Sequence, residues 1–267
     1  MEIISVRRLT IWLCSLIFLL GAFSACQRKT ETGSAASPVP SSTVASESAA
    51  RPAIAGPVTP ALVTDGSDSI THYLHYPKDP EASKLDGAVQ FYCDITDTGM
   101  VESTQALVGK NDAFKAAVQA ALDWGRFAPA TVNGNPVRAY LGGTVLFMHQ
   151  NNEEVIVVSL ATHDRDRVGK LENYIQPQLL GGLRLLMEKA ISTLTQGVLV
   201  NGQAEVLVNV NDKGVVTGTS AISENPKGSG LGKLLESALK KAQFTPAYEN
   251  GKATAGGINV VADFGKF

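Results

Sequence analysis

Gly87-Ala-Val-Gln-Phe-Tyr-Cys-Asp-Ile-Thr-Asp-Thr-Gly99 decides the fold, because the chain repeats its pattern without a gap as Gly202-Gln-Ala-Glu-Val-Leu-Val-Asn-Val-Asn-Asp-Lys-Gly214. In the first copy Val89, Phe91, Cys93 and Ile95 alternate with Gln90, Tyr92, Asp94 and Thr96, the period of two that marks a strand. Ala204, Val206, Val208 and Val210 take the same face in the second. Asp97-Thr98-Gly99 and Asp212-Lys213-Gly214 then predict a turn in which glycine is free to take positive φ.

Further along, Phe127-Ala-Pro-Ala-Thr-Val-Asn-Gly134 lies over Phe244-Thr-Pro-Ala-Tyr-Glu-Asn-Gly251, five identities in eight positions. Between the paired blocks, second strands are expected near Val101–Val108 and Val216–Ser223. Helices follow. Leu231, Leu234, Leu235, Ala238, Leu239 and Ala242 form one apolar helical stripe, and Phe114, Ala117, Val118, Ala121 and Leu122 form its counterpart, with Asn111 or Asp112 as N-cap. Pro129 and Pro246 prevent either helix from continuing. Asn133-Gly134 and Asn250-Gly251 turn the chain into last strands at Val137–Phe147 and Ala255–Phe264. A helix laid on one face of a small antiparallel sheet gives an α+β, two-layer domain. The repeat places two of them, at 61–150 and 151–267.

Working outward to the N-terminus, Arg7 and Arg8 precede the uncharged 17-residue stretch Leu9–Ala25 and a run of small residues ending at Cys26. That order predicts a signal peptide over 1–25, with an uncleaved helix anchor or a plain secretory signal as the alternatives to lipidation. The cysteine at its end resembles a bacterial lipobox, although Phe23 stands where an aliphatic residue is usual, and implies lipidation of Cys26. Residues 27–60 hold seven Ala, six Ser, five Pro and four Thr and no aromatic, so 26–60 is expected to be a disordered leash after the lipidated Cys. By resemblance to enterobacterial lipoproteins, Gln27 rather than Asp after the cysteine implies the outer membrane, facing the periplasm. Cys14 leaves with the signal, so Cys93 is the one thiol left free and no internal disulfide is expected.

The ordered motifs resemble the C-terminal domain of TonB, the family that reaches across the periplasm to outer-membrane transporters. The first copy shows Tyr76-Pro77, Gly87-Ala-Val89, Asp97-Thr-Gly99, Trp124, Phe127-Ala-Pro129 and Asn133-Gly134. The second shows Gly202, Asp212-Lys-Gly214, Phe244-Thr-Pro246 and Asn250-Gly251, preceded by the helix-like Leu180-Gly-Gly-Leu-Arg-Leu-Leu186. It lacks the Tyr-Pro pair and has Lys241 in place of Trp124. No motif is specific alone; the ordered set, occurring twice, is. An energy-transducing TonB has a helix anchor with a functional His and a long Pro-rich spacer. Here no His precedes His72 and the leash is short, so the resemblance implies the binding fold without the motor.

The remaining candidates read as structural. A net charge of −2, with 23 Lys and Arg against 25 Asp and Glu, leaves no cationic field for nucleic acid. His72 and His75 lack a third ligand at metal spacing and read as a surface pair; His149 and His163 sit in the connector. Gly228-Ser-Gly-Leu-Gly-Lys233 has Lys227 and Leu234 where a phosphate loop needs Gly and Ser or Thr, and reads as a flexible lead into the helix. Cys93 reads as a buried apolar residue, and Trp124 and Phe127 as core. Asp164-Arg-Asp-Arg167 reads as solvated surface. No pairing of nucleophile and base is present, so no enzyme, cofactor, metal or small-molecule substrate is expected.

The expected function is a lipid-anchored periplasmic adaptor that binds envelope proteins by β-strand addition. The resemblance implies that the last strands receive the partner, at Gly143, Thr144, Val145, Leu146 and Phe147 and at Ile258, Asn259, Val260, Val261 and Ala262. A TonB-dependent outer-membrane transporter is the implied partner. Two alternatives stand beside it: an energy transducer or accessory for siderophore or vitamin uptake, and a structural two-domain body whose edges pair with each other.

Overall fold

The computed structural model describes residues 56–161, 173–193 and 201–267, which lie in one compact unit. The first copy runs β1 (Val58–Thr59), α1 (Ile70–Tyr73), β2 (Gly87–Ile95), β3 (Val101–Val108), α2 (Asp112–Trp124), β4 (Ala130–Val132), β5 (Asn135–Val137) and β6 (Ala139–Gln150). A further strand, β7 (Glu153–Ser159), follows β6 directly. The second copy runs β8 (Tyr174–Ile175), β9 (Leu179–Leu180), α3 (Leu183–Ile191), β10 (Gln203–Val210), β11 (Val216–Asn225), α4 (Leu231–Leu239), β12 (Ala247–Glu249), β13 (Lys252–Thr254) and β14 (Gly256–Asp263). The fold is α+β with antiparallel sheets, as the alternation and the helical stripes predict.

The two copies share topology. Each has a main sheet whose first strand lies between the second and the last, in the orders β3-β2-β6-β7 and β11-β10-β14. Each also has a small satellite sheet, β1-β4-β5 or β8-β12-β13, closed by its Asn-Gly turn. Asn133 and Gly134 have φ of 54° and 78°, and Asn250 and Gly251 have 51° and 75°, the left-handed pair of a two-residue hairpin loop. α2 begins where Asn111 accepts from the Ala113 N–H at 2.8 Å, which settles the choice of cap.

The two most separated motifs of each copy meet in space, and this explains their co-occurrence. Phe127 N–H donates to Gly99 O, and Phe244 N–H to Gly214 O. A Cβ on Gly99 would stand 1.8 Å from Phe127 O, and one on Gly214 2.0 Å from Phe244 O. The turn glycine is therefore needed for close approach as well as for its positive φ. Tyr76, from the Tyr-Pro pair, meets Phe114 and Phe147 edge-on at 5.9 and 5.4 Å, joining the helix to the last strand.

Two boundaries differ from expectation. The first sheet extends to Ser159, because Asn151 and Asn152, at φ 54° and 63°, make a tight hairpin that brings the chain back beside β6. The division expected at 150 therefore falls inside a hairpin. At the other end, Val58 and Thr59 pair with Val132 and Thr131, so the last residues assigned to the leash belong to the folded body.

Candidate functional site

A protein that binds by strand addition must offer an open main-chain border on one of its sheets. β6 lies between β2 and a continuous set of contacts on its other side. β7 pairs with it from Thr144↔Ser159 to Gln150↔Glu153. The Gln176 amide nitrogen donates to Gly142 O at 2.7 Å, and β9 of the second copy pairs Leu180 with Ala139 and Leu179 with Tyr140. The free border expected at Gly143, Thr144, Val145, Leu146 and Phe147 is thus closed within the molecule. The cause is the hairpin, whose strand is rich in Val and Ile and covers the main chain that would otherwise be exposed.

The border of β14 is closed differently. Its even-numbered residues bond to β10, which turns the main-chain groups of Val261 outward. Tyr140 of the first copy reaches that point. Its hydroxyl accepts from Val261 N–H at 2.8 Å and donates to Val261 O at 3.1 Å, so one phenol takes the place of a neighbouring strand. Tyr140 is fully buried, and burial pushes its hydroxyl pKa well up. Gln105 Oε1 accepts from Asp263 N–H at 3.3 Å. Val261 and the end of β14 beyond Ala262 are therefore covered by the first copy. Ile258 and Val260 turn their main chain to β10 and their side chains to the second core. The expected free border at Ile258, Asn259, Val260, Val261 and Ala262 is reduced to the outward groups of Asn259.

The surface that receives the second copy is the face of the first sheet opposite its helix. Tyr92 and Tyr140 share a core with Leu179, Leu183, Val206 and Val260. Asp94, 1% exposed, accepts from Ser103 Oγ and Gln105 Nε2, both at 3.0 Å, and from Leu183 N–H at 2.5 Å. It thereby caps α3, whose own N-cap is Gly182 and supplies no side-chain bond. Burial raises the Asp94 pKa from its ordinary value, against the lowering effect of these bonds. Tyr92 and Asp94 alternate with the apolar residues of β2 and lie on its other face, yet they too are buried.

The other two borders of the main sheets, those of β3 and β11, are broken. β3 carries register shifts at Tyr92/Cys93 and Asp94/Ile95 of its partner strand, and Lys266 Nζ donates to its Thr104 O. β11 carries two shifts as well, at Glu205/Val206 and Asn209/Val210. Bulges and inserted ammonium groups discourage further pairing. β7 has neither: its seven pairs with β6 are regular, and among the described residues no strand pairs with its outer side.

Other candidates find ordinary places. Cys93 and Phe127 are buried as expected, and burial raises the Cys93 thiol pKa. Trp124 is not core; it is 74% exposed at the end of α2. His72 and His75 are exposed. His149 lies in β6 rather than in a connector, with its N–H on Asp86 at 2.9 Å and its ring 4.9 Å from that of Tyr76. The glycine-rich loop is ordered by the chain's own carboxylate. Glu224 accepts from Gly228 and Gly232 N–H, both at 2.9 Å, and these donors hold its pKa below the usual value. Cys26, His163 and Asp164–Arg167 lie outside the described residues. No helix among the described residues is long and apolar enough to cross a membrane.

Fold and borders together define a duplicated α+β body with closed last strands. Residues 72–148 match the family model of the Gram-negative bacterial TonB protein C-terminal. That segment runs from α1 to near the end of β6, under a third of the chain, and stops short of β7. No curated protein and no solved structure matches the chain.

Proposed function

We propose that this chain is a non-enzymatic adaptor of the bacterial cell envelope, held to a membrane by lipid on Cys26, that binds an extended backbone at the outer border of β7. One observation carries the reading: among the borders of the two main sheets β7 is the regular one, without bulge or inserted side chain, while β3, β11 and β14 are each interrupted. Strand addition there extends a sheet already braced by α2 on one face and by the second copy on the other. The TonB likeness of residues 72–148 supports the envelope setting and the binding class.

The test places a photo-crosslinking residue at Glu154, on the β7 border, and in parallel at Ile258 and Val260, in the full chain in cells. Capture of a polypeptide at Glu154, with none at the other two, is the expected result. Labelling confined to solvent at Glu154 removes the reading. Capture at Ile258 or Val260 instead returns docking to the last strand.

Closure of both last strands also favours the structural-body alternative, in which no border binds anything. Amide exchange separates the two. A purely structural body leaves Glu154, Ile156 and Val158 amides fast-exchanging in the cell extract as in buffer, whereas an adaptor shows them slowed in the extract.

A further inference from the structure

Resting on β7 as the pairing border, we infer that the backbone it takes up is β7 of a second copy of this chain, giving a two-fold dimer with one sheet running through both. The parity of the border comes first. The two-residue loop Asn151-Asn152 makes Gln150↔Glu153 a hydrogen-bonded pair, so Glu153, Val155, Val157 and Ser159 turn their main chain toward β6. Glu154, Ile156 and Val158 then turn theirs outward. Two bonds on β6 fix the same parity independently: His149 N–H reaches Asp86 on the β2 side, and Gly142 O is met by Gln176 on the other. The outward run ends at Leu160, whose carbonyl accepts from Gln176 N–H at 3.1 Å.

Three outward residues spaced by two are matched, in antiparallel sense, by the same three residues of another β7. Centring the two-fold axis on Ile156 sets Ile156 against its mate and Glu154 against Val158 of the second copy. All three become bonded pairs, worth about six main-chain hydrogen bonds. Shifting the register so that Glu154 meets its own mate leaves one pair and sets like charges together, which is unfavourable. In the centred register Glu153 faces Ser159 of the second copy, so the acids lie at opposite ends with Val155, Ile156 and Val157 between them.

The side chains agree with the main chain. Ile156 and Val158 pack on the core shared with α2, so pairing continues that apolar face across the axis. On the opposite face Val155 meets Val157 of the second copy. Glu153–Ser159 contains no Lys or Pro, and its two charged residues, Glu153 and Glu154, sit together at one end, leaving Val155–Ser159 without the devices that commonly blunt an edge strand. β7 also lies beyond the segment that matches the family model.

The test uses the full chain in membranes. Cysteine at Ile156 stands opposite its mate at about 5.5 Å between Cα atoms, within disulfide range. Cysteine at Glu154 stands about 14 Å from its own mate, beyond it. Oxidation is expected to give a double-mass species for Ile156→Cys above that of the parent chain, and none for Glu154→Cys. A mixed disulfide between Ile156→Cys and a different protein overturns the second-copy inference and leaves strand addition at β7 standing. Equal dimer yield at both positions overturns the register and with it the inference. Sedimentation of the unaltered chain in detergent gives a check independent of cysteine. A dimer that becomes a monomer in Glu154→Pro, which removes an outward N–H and no bond to β6, supports the inference. A monomeric parent without crosslinking overturns both inference and border.

Discussion

Replacing Tyr140 by Phe removes one oxygen and keeps the ring, so it isolates the contact that closes the border of the second sheet. The lost hydroxyl leaves Val261 N–H and C=O without their partner in a region where Tyr140 is fully buried and Val261 is 9% exposed. A buried group left unsatisfied costs about 1–3 kcal/mol, and removal of the hydroxyl itself from the interior offsets part of that. A net loss of about 2–3 kcal/mol follows. For a folded unit of this size it corresponds to a fall in melting temperature of roughly 5–10 °C. Urea titration of the parent and the Phe variant measures the loss. Amide exchange locates it: Val261 should lose protection, while Val260, which bonds to β10, should keep it. An unchanged midpoint together with unchanged Val261 exchange would refute the view that a side chain substitutes for a strand there.

Two further outcomes follow from the same structure. Asp94 has a raised pKa in the folded chain, so the native state binds the proton more readily than the unfolded one; stability is greatest below the ordinary carboxylate range and falls as pH rises through the raised value. Asp94→Asn should flatten that part of the curve of urea midpoint against pH, and equal slopes for the two proteins would count against it. Gly99→Ala and Gly214→Ala each put a methyl group onto a carbonyl oxygen and should cost at least about 2 kcal/mol by thermal melting. Gly134→Ala, at φ 78° but with open space around its Cβ, should cost only about 1–2 kcal/mol. Equal losses at the three sites would show that φ alone matters there.

Much of each copy was legible in its residues. A strand beside a turn, a capped amphipathic helix and an Asn-Gly hairpin are local devices, and their physics acts over a few positions. β3 fell at Val101–Val108 as the pattern predicts, and the paired glycines fell at the turns. The sequence signal for β7 is weak for a local reason too. Asn151-Asn152 followed by Glu-Glu-Val-Ile-Val-Val has the form of a hairpin but lacks the glycine that usually marks one; asparagine tolerates the left-handed region and takes its place. Trp124 reads as core because large aromatics usually are, yet it ends α2 on the outer side.

By itself the sequence determined the duplication, the α+β character and the turn chemistry, since periodicity and φ preference are written into neighbouring residues. Tertiary structure alone decided which borders stay open. Tyr92, Asp94, Gln105 and Tyr140 carry polar groups that on a lone sheet would face water, and only the second copy makes them interior. Whether a strand's outer amides meet solvent, a phenol or another strand depends on elements more than a hundred residues away, as with Tyr140 and Val261. No local pattern encodes that distance, because a hydrogen bond responds to proximity in space and is indifferent to separation along the chain.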